Sequence, residues 1–273
     1  MNSFVLIKQV PDQSAKAGVN ADGTIDRAKA KRMLNPFDCF ALEAALQTKR
    51  LYGATVTAIT MGPPPAIEIL YEAIAHGVDR AVHLCDRRLA ASDTLATAYA
   101  LYNTVRYAGA FDLVFCGLQT TDGDTAQVGP QLAERLQVPQ VTYCESFEVQ
   151  GDKLIARRVT ESGTQVVECP LPSVVTVDNS AHRLAYKTLR GVQRVHQLQR
   201  DEVERNQVIR TVSLDDIQAD PVRCGLKGSP TIVAATEKVG EIGGKCVLFQ
   251  GKSIDTMVSG LLTDISLAEL VQR

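Results

Sequence analysis

Residues Phe115–Tyr143 read FCGLQTTDGDTAQVGPQLAERLQVPQVTY, and the architecture of the chain can be followed outward from them. The apolar run that ends at Gly117 is typical of a buried strand, and the apolar spacing from Ala126 to Leu136 predicts a helix. The loop between them places Asp122 and Asp124 around Gly123. Such a loop at a helix start either caps the helix, binds a metal ion or holds a ligand.

The same alternation of strand and helix occupies most of the chain up to about residue 177. Successive strands are predicted in FVLIKQV, ATVTAITMG, RAVHLCD and DLVFCG, and the segments between them have helical spacing. This pattern predicts an α/β fold, a mostly parallel sheet with helices on both faces. After Pro139, turn signals at Gly151-Asp152 and Ser162-Gly163 separate β-rich runs and predict an antiparallel extension of the sheet.

The pattern of a compact domain weakens from about Ser180. We therefore predict an α/β nucleotide-binding domain over residues 1–180 and a long C-terminal arm over residues 181–273, ending in the amphipathic segment SIDTMVSGLLTDISLAELVQR. The arm either lies on a partner protein or packs on its own domain, and its small apolar content favours a partner.

Composition excludes several classes of protein. The chain has 273 residues, 45% hydrophobic and 22% charged, with a net charge of −2, so a nucleic-acid-binding role is not indicated. Apolar runs are too short for a membrane span, and the N-terminal run is too short for a signal peptide, so we expect a cytoplasmic protein. Seven cysteines without a C-x-x-C pair are expected to be reduced structural thiols.

Polar motifs follow the strands at their carboxyl ends, where open α/β sheets bind ligands. In the 117–127 loop, backbone N–H groups at the helix start suit a phosphate, and Thr125 and Gln127 add donors. Since carboxylates repel an anion, Asp122 and Asp124 are expected to bind ribose hydroxyls, cap the helix or brace the loop. The spacing of DGD does not suit a calcium loop, so we predict no metal site.

Ser92-Asp93-Thr94 forms a second polar helix start, in SDTLAT. Alone it is an ordinary cap. Two such starts at adjacent strand ends could instead hold the two phosphates of a dinucleotide. Neither G-x-G-x-x-G nor a P-loop motif is present, so the fold is Rossmann-like without the usual fingerprint. No catalytic acid–base constellation is found, which points to a nucleotide holder.

Several segments together resemble the beta subunit of electron-transfer flavoproteins. They are KQVPD, LNPFD, TMGPP, SDTLATA, CGLQTTDGDTAQVGPQLAERLQVPQVT and LPSVVTV, in the family's order over residues 3–178, and the resemblance is weaker through TLRG and GSPT. It implies an adenine-nucleotide-binding α/β fold whose C-terminal arm embraces an alpha subunit that carries an FAD.

The resemblance also implies the site. The adenosine and phosphate pocket would be lined by Leu6, Asn35, Pro36, Phe37, Asp38, Met61, Gly62, Gly117, Gln119, Asp122, Gly123, Asp124, Thr125, Ala126, Gln127 and Val128. In one branch of the family this pocket holds structural AMP. In the other it holds a second FAD that accepts a hydride from NADH and divides the two electrons between a high-potential and a low-potential acceptor.

TMGPP and SDTLAT resemble the second, electron-bifurcating branch, in which Asp93, Thr94 and Thr97 would seat the additional part of FAD. The implied partners are the alpha subunit, a flavin-dependent dehydrogenase such as an acyl-CoA dehydrogenase, and ferredoxin or flavodoxin. The DNSAHRLAYKTL segment departs from the family pattern where the dehydrogenase docks, and Leu184 is the apolar anchor that we expect there. The alternatives are a subunit that holds AMP, a stand-alone adenine-nucleotide-binding regulator, and a metabolic enzyme.

Overall fold

A computed structural model describes residues 1–12, 31–232, 248, 250 and 253–264. The chain forms two compact units, Met1–Ile232 and Val233–Arg273. In the described part of the second unit, one helix spans Ile254–Asp264, and the predicted helix beyond residue 264 lies outside the described residues. Of the described residues, no helix is both long and apolar enough to cross a membrane.

Eleven strands belong to the first unit as described. They are β1 (Asn2–Leu6), β2 (Gln9–Pro11), β3 (Arg32–Leu34), β4 (Thr55–Met61), β5 (Arg80–Leu84), β6 (Leu113–Gly117), β7 (Gln140–Gln150), β8 (Lys153–Thr160), β9 (Gly163–Pro170), β10 (Ser173–Val177) and β11 (Ile209–Val212). Nine of them form one sheet in the order β11-β5-β4-β1-β6-β10-β7-β8-β9, and β2 pairs with β3 in a separate antiparallel ribbon.

The helices of the first unit follow the strands. They are α1 (Pro36–Tyr52), α2 (Ile67–His76), α3 (Thr94–Ala108), α4 (Val128–Leu136), α5 (Leu189–Arg200) and α6 (Glu202–Val208), and the helix of the second unit is α7 (Ile254–Asp264). Local chemistry sets their ends: Pro36 supplies a preset φ at the first position of α1, and Gly53 ends this helix with a left-handed φ of 66°.

The sheet is covered on both faces, as predicted. Along β1, Val5 packs into a core that includes α1 and α2, whereas Phe4 and Leu6 pack into a second core that includes α3 and α4. Successive side chains of a strand point to opposite faces, so a strand buried on both sides has to be apolar throughout. The antiparallel extension is also confirmed, because β7, β8 and β9 pair antiparallel in sequence.

The boundary between the two compact units falls after Ile232, whereas the sequence predicts a boundary at residue 180. β11 pairs in parallel with β5 at the edge of the sheet. α5 packs on α2 so closely that a Cβ on Gly191 would lie 2.0 Å from the Ala75 carbonyl oxygen. Residues 181–232 therefore complete the sheet and its cores. Their apolar residues are widely spaced, so the sequence pattern conceals this packing. That residues beyond 232 embrace a partner stays a prediction.

The cysteines behave as expected where they are described. Cys39, Cys85, Cys116, Cys144, Cys169 and Cys224 are free thiols, and Cys246 lies outside the described residues.

Candidate functional site

The strand order places a topological switch point between β1 and β6. From β1 the chain proceeds outward through β4 and β5 on one side, and β6 then returns to the other side of β1. Crevices at such points, beyond the carboxyl ends of the strands, bind ligands in open α/β sheets. The 117–127 loop leaves β6 there, and α1 begins there after β3, so the two predicted motifs meet at this edge.

Asn35 ties the start of α1 to the loop that follows β6. The residue is completely buried and occupies the N-cap position, but its side chain makes no capping bond. Its amide Nδ2 instead donates to the carbonyl oxygen of Gln119 at 2.8 Å, and its Oδ1 accepts from the backbone N–H of Thr121 at 3.3 Å. Asn35 therefore holds the backbone of the 117–127 loop next to the start of α1.

Asp38 braces the same junction. Its buried Oδ2 accepts from the backbone N–H of Lys8 at 2.7 Å, and the backbone of Gly117 also hydrogen-bonds to it. Burial, which outweighs these hydrogen bonds, raises the pKa of Asp38 to about 7. A Cβ on Gly117 would lie 2.4 Å from Oδ1 of Asp38 and 2.7 Å from the backbone carbon of Phe37, so only glycine permits this approach. Asp38 is therefore buried against protein atoms at the base of the predicted pocket.

The two carboxylates of the loop are engaged within the protein. Lys8 Nζ donates to both carboxylate oxygens of Asp122, at 2.7 and 2.8 Å. Although partial burial pushes the pKa of Asp122 upward, the hydrogen bonds from Lys8 and Thr120 outweigh it and lower this pKa. Gln119 donates its amide N–H to Asp124. Of the three roles expected for these acids, the contacts therefore favour loop bracing, which also reduces their repulsion of an anion.

The start of α4 differs from the expected cap. Asp124, for which capping was one of the expected roles, does not cap α4: the N-cap is Gln127, and its side chain makes no capping bond. The cause is the loop backbone, since Asp124 and Ala126 have left-handed φ angles of 52° and 54° that carry the chain past an ordinary capping turn. The first N–H groups of a helix have no intrahelical acceptor, so an uncapped start leaves donors for a ligand.

The start of α3 is capped as expected, by Asp93. One carboxylate oxygen accepts from the N–H of Ala96 at 3.0 Å, and the other accepts from the N–H and hydroxyl of Thr231 at 3.1 and 2.9 Å. The backbone N–H of Asp93 donates to Ser229 at 2.8 Å. Both oxygens of Asp93 thus hold protein groups, which leaves the carboxylate little capacity for the cofactor role predicted for it.

Thr94 brings the two helix starts together. Its hydroxyl donates to Oε1 of Gln127 at 3.0 Å and accepts from Nε2 of Gln131 at 3.2 Å. Thr97 lies one turn further along α3, half-buried, with its N–H donating to the Asp93 carbonyl oxygen. The structure therefore joins SDTLAT to the 117–127 loop, as the dinucleotide interpretation requires.

The other predicted residues surround this junction or lie apart from it. Leu6 is buried in the second core, against which Met61 and Val128 are partly buried, and the Gly62 carbonyl lies 3.1 Å from Nε2 of His83. Leu184 is half-buried against the first core and belongs to no part of this edge. Pro36, Gly123 and Thr125 are exposed, and Phe37 is half-buried.

Sequence reasoning missed several residues that build the site. A Cβ on Gly129 would lie 2.5 Å from a Thr176 methyl group, so this glycine lets α4 approach the sheet. Lys8, Gln131 and Thr231 were missed because each partner is distant in sequence or on a neighbouring helix. Lys8 and Thr231 lie in KQVPD and GSPT, and the resemblance of these two segments to the family was the sequence signal for them.

The raised pKa of Asp38 predicts a specific pH dependence. The folded protein holds this proton more tightly than the unfolded chain, whose carboxyl has a pKa near 3.9. The free energy of unfolding therefore falls as pH rises from about 4 to about 7, by about 4 kcal/mol in total. In Asp38→Asn this contribution is absent, so the stability of the native protein relative to the variant should fall across that window in urea titrations.

Asp122→Asn is the matched control, because the pKa of Asp122 is lowered. A lowered pKa makes stability fall only as pH drops through the folded-state value, so the difference between this variant and the native protein should stay flat between about pH 4 and pH 7. A flat difference for Asp38→Asn as well would contradict the assignment.

Comparison with known proteins gives consistent matches. A family model described as "Electron transfer flavoprotein domain" matches residues 22–208, a range that contains every predicted site residue except Leu6. The chain is 40% identical over 247 residues to the electron transfer flavoprotein subunit beta of Thermoanaerobacterium thermosaccharolyticum, covering 89% of this chain and 92% of that protein.

Two further relatives have other names. The acryloyl-CoA reductase electron transfer subunit gamma of Anaerotignum propionicum is 41% identical over 238 residues, covering 85% of this chain and 86% of that protein. Protein FixA of Bradyrhizobium diazoefficiens is 40% identical over 240 residues, covering 85% of this chain and 81% of that protein.

Proposed function

The chain belongs to the electron-transfer flavoprotein family, as a beta subunit, and from this premise we propose that its nucleotide site holds FAD rather than AMP. Membership implies an alpha subunit as partner. The proposed subunit takes part in electron bifurcation. Bound FAD would supply the redox chemistry of the complex: hydride acceptance from NADH, and one-electron transfer to a dehydrogenase by way of the alpha-subunit FAD and to a low-potential acceptor.

The observation that carries the proposal is the contact between Thr94 and Gln127, at 3.0 Å. It brings the start of α3 beside the start of α4. One uncapped helix start suits one phosphate, as in AMP, whereas polar groups from a second helix start extend the site toward a second phosphate and the flavin half of FAD. On the α3 side Thr97 supplies a hydroxyl and Thr94 holds Gln127 in place, and on the α4 side the loop and Gln127 supply donors.

The neighbouring residues fit a nucleotide in other respects. Lys8 offsets the charge of Asp122, Asn35 holds the loop backbone at Gln119, and Asp38 accepts from the backbone N–H groups of Lys8 and Gly117. The close approach at Gly117 packs this support tightly against the start of α1. A rigid, preorganised frame lowers the entropic cost of binding and favours retention of a cofactor through many electron transfers.

One observation favours the alternative, a site that holds structural AMP. Asp93 caps α3 with one oxygen and binds Thr231 with the other, so the first turn of α3 faces a carboxylate instead of an open set of N–H groups. In that case α3 contributes nothing to the ligand, and the subunit serves as a scaffold for the flavin of the alpha subunit.

The proposed partners follow from the family and from one relative. The electron acceptor at higher potential would be a flavin-dependent dehydrogenase of the acyl-CoA class, since a relative is named as an electron transfer subunit of acryloyl-CoA reductase. Ferredoxin or flavodoxin would be the low-potential acceptor. Leu184 remains the proposed apolar anchor for the dehydrogenase, although its side chain is half-buried in the isolated subunit.

Cofactor extraction from the purified heterodimer tests the proposal. The complex is denatured, and the released compounds are separated beside FAD and AMP standards. About two FAD and no AMP per heterodimer are expected. One FAD and one AMP would instead establish the scaffold function and overturn the bifurcating one.

A further inference from the structure

A directional chain of hydrogen bonds crosses from α4 to α3 and back. Nε2 of Gln131 donates to the Thr94 hydroxyl oxygen at 3.2 Å, and the Thr94 hydroxyl donates to Oε1 of Gln127 at 3.0 Å. Gln127 is the N-cap of α4 and Gln131 follows it by four residues, so the two side chains lie on one side of the helix start. Gln131 is half-buried, whereas Gln127 is exposed at the helix start.

The three side chains can be hydrogen-bonded in only one direction at a time, because the Thr94 hydroxyl has a single proton. Since Gln131 gives an N–H to the Thr94 oxygen, the Thr94 proton is directed to Gln127. The oxygen of the Gln127 carboxamide is then occupied, and its NH₂ group is the free end. In the part of the chain that the structure describes, this NH₂ makes no hydrogen bond. Gln127 thus offers N–H donors beside the uncapped start of α4.

Gln131 is poorly explained as a purely structural residue. Its Oε1 is buried and has no hydrogen-bond partner among the described residues. An unpaired buried acceptor is destabilising, and an apolar side chain of similar size would avoid that cost. Reversing the carboxamide would bury N–H donors unpaired in place of this oxygen, so the observed orientation is the favourable one.

The spacing of the two helices does not depend on Gln131. One turn further along α4, Arg135 donates to the Leu95 carbonyl oxygen at 3.4 Å and lies over the ring of Tyr99, 5.5 Å from its centroid. The packing of α3 on α4 is therefore maintained by other contacts, and a change at Gln131 acts mainly on the hydrogen-bond chain.

We propose that Gln131 is a positioning residue that acts through Thr94 to turn the N–H donors of Gln127 toward an anionic oxygen of the bound nucleotide. The inference rests on the proposed nucleotide site, but it holds for FAD and for AMP alike, because both present phosphate oxygens. A carboxamide that faced the phosphate with its oxygen would be repelled by it.

Gln131→Glu should reverse the direction of this hydrogen-bond chain with little change in the shape of the side chain. A carboxylate accepts only, so the Thr94 hydroxyl would donate to residue 131 and accept from the Gln127 NH₂. The Gln127 oxygen would then face the nucleotide. We expect the Kd of the nucleotide to rise about tenfold or more, the size of a lost hydrogen bond to a charged group.

A double-mutant cycle separates this effect from the added charge. In Thr94→Val the hydrogen-bond chain from Gln131 to Gln127 is already interrupted. Gln131→Glu should therefore raise the Kd of the nucleotide no more than about twofold in that background. Affinity is measured on the nucleotide-depleted heterodimer by calorimetric titration with FAD and, separately, with AMP. Thr94→Ser keeps the hydroxyl and should restore native affinity.

If Gln131→Glu lowers the melting temperature, Gln131→Met provides the second variant, since it removes the donor without adding charge. It should weaken binding in the native background and have no further effect with Thr94→Val. Equal effects of either Gln131 variant in both backgrounds would overturn the positioning role. If the native protein binds only AMP, the proposed FAD site is overturned, and the double-mutant cycle measured with AMP still tests the positioning role. If it binds neither nucleotide, both the proposed site and the positioning role are overturned.

Discussion

Gly117→Ala should empty the nucleotide site and lower the melting temperature of the protein. The added Cβ would lie 2.4 Å from Asp38 Oδ1, 2.7 Å from the Phe37 carbonyl carbon and 2.9 Å from the Asp38 nitrogen, so backbone has to move. Overpacking of this kind costs about 2–3 kcal/mol, and a domain of this size loses roughly 2–4 °C of melting temperature per kcal/mol. The displaced backbone leads directly into the 117–127 loop.

The measurement pairs thermal unfolding with the nucleotide content of the purified heterodimer. Gly123→Ala is the matched control in the same loop, because its Cβ would meet only the Thr120 hydroxyl, at 3.2 Å. This control should keep the native melting temperature, because its Cβ would meet no backbone atom within 4 Å. Full nucleotide content in Gly117→Ala would show that the approach of β6 to α1 is not needed for binding.

A chain that ends at Ile232 should keep its fold and lose the alpha subunit. The first compact unit ends at this residue, and the cut leaves Thr231 in place against Asp93. All nine strands of the sheet are retained. Under the proposal that the residues beyond 232 embrace the partner, the truncated chain should remain stable in thermal unfolding and fail to co-purify with the alpha subunit.

A cut at residue 180 would not test this idea. It removes Leu198, Ile209 and Leu214, which are buried at or below 2% exposure, and it strips β11 from the edge of β5. The shorter chain should therefore unfold, and an unfolded chain would lose the partner whether or not the residues beyond 232 bind it. Co-purification of the 232-residue chain with the alpha subunit at native stoichiometry would show that the clasp lies within the first unit.

The predictable part of the site consists of backbone features that local sequence encodes. The break of β6 at Gly117, the helix start after Pro36 and the cap at Asp93 each depend on a few neighbouring residues. Capping, one of the roles expected for Asp124, is not observed because Asp124 and Ala126 both have left-handed φ angles, and sequence preferences disfavour that conformation in non-glycine residues.

By itself the sequence determined the parallel α/β architecture, its antiparallel extension and the edge of the sheet where the polar motifs gather, because hydrophobic periodicity and turn residues act locally. Tertiary structure alone decided that residues 181–232 complete the domain, that Lys8 pairs with Asp122, and that Gln131 donates to Thr94. These contacts join residues that lie far apart in the chain or on different helices. No local pattern encodes such a pairing, since it depends on how the elements pack in three dimensions.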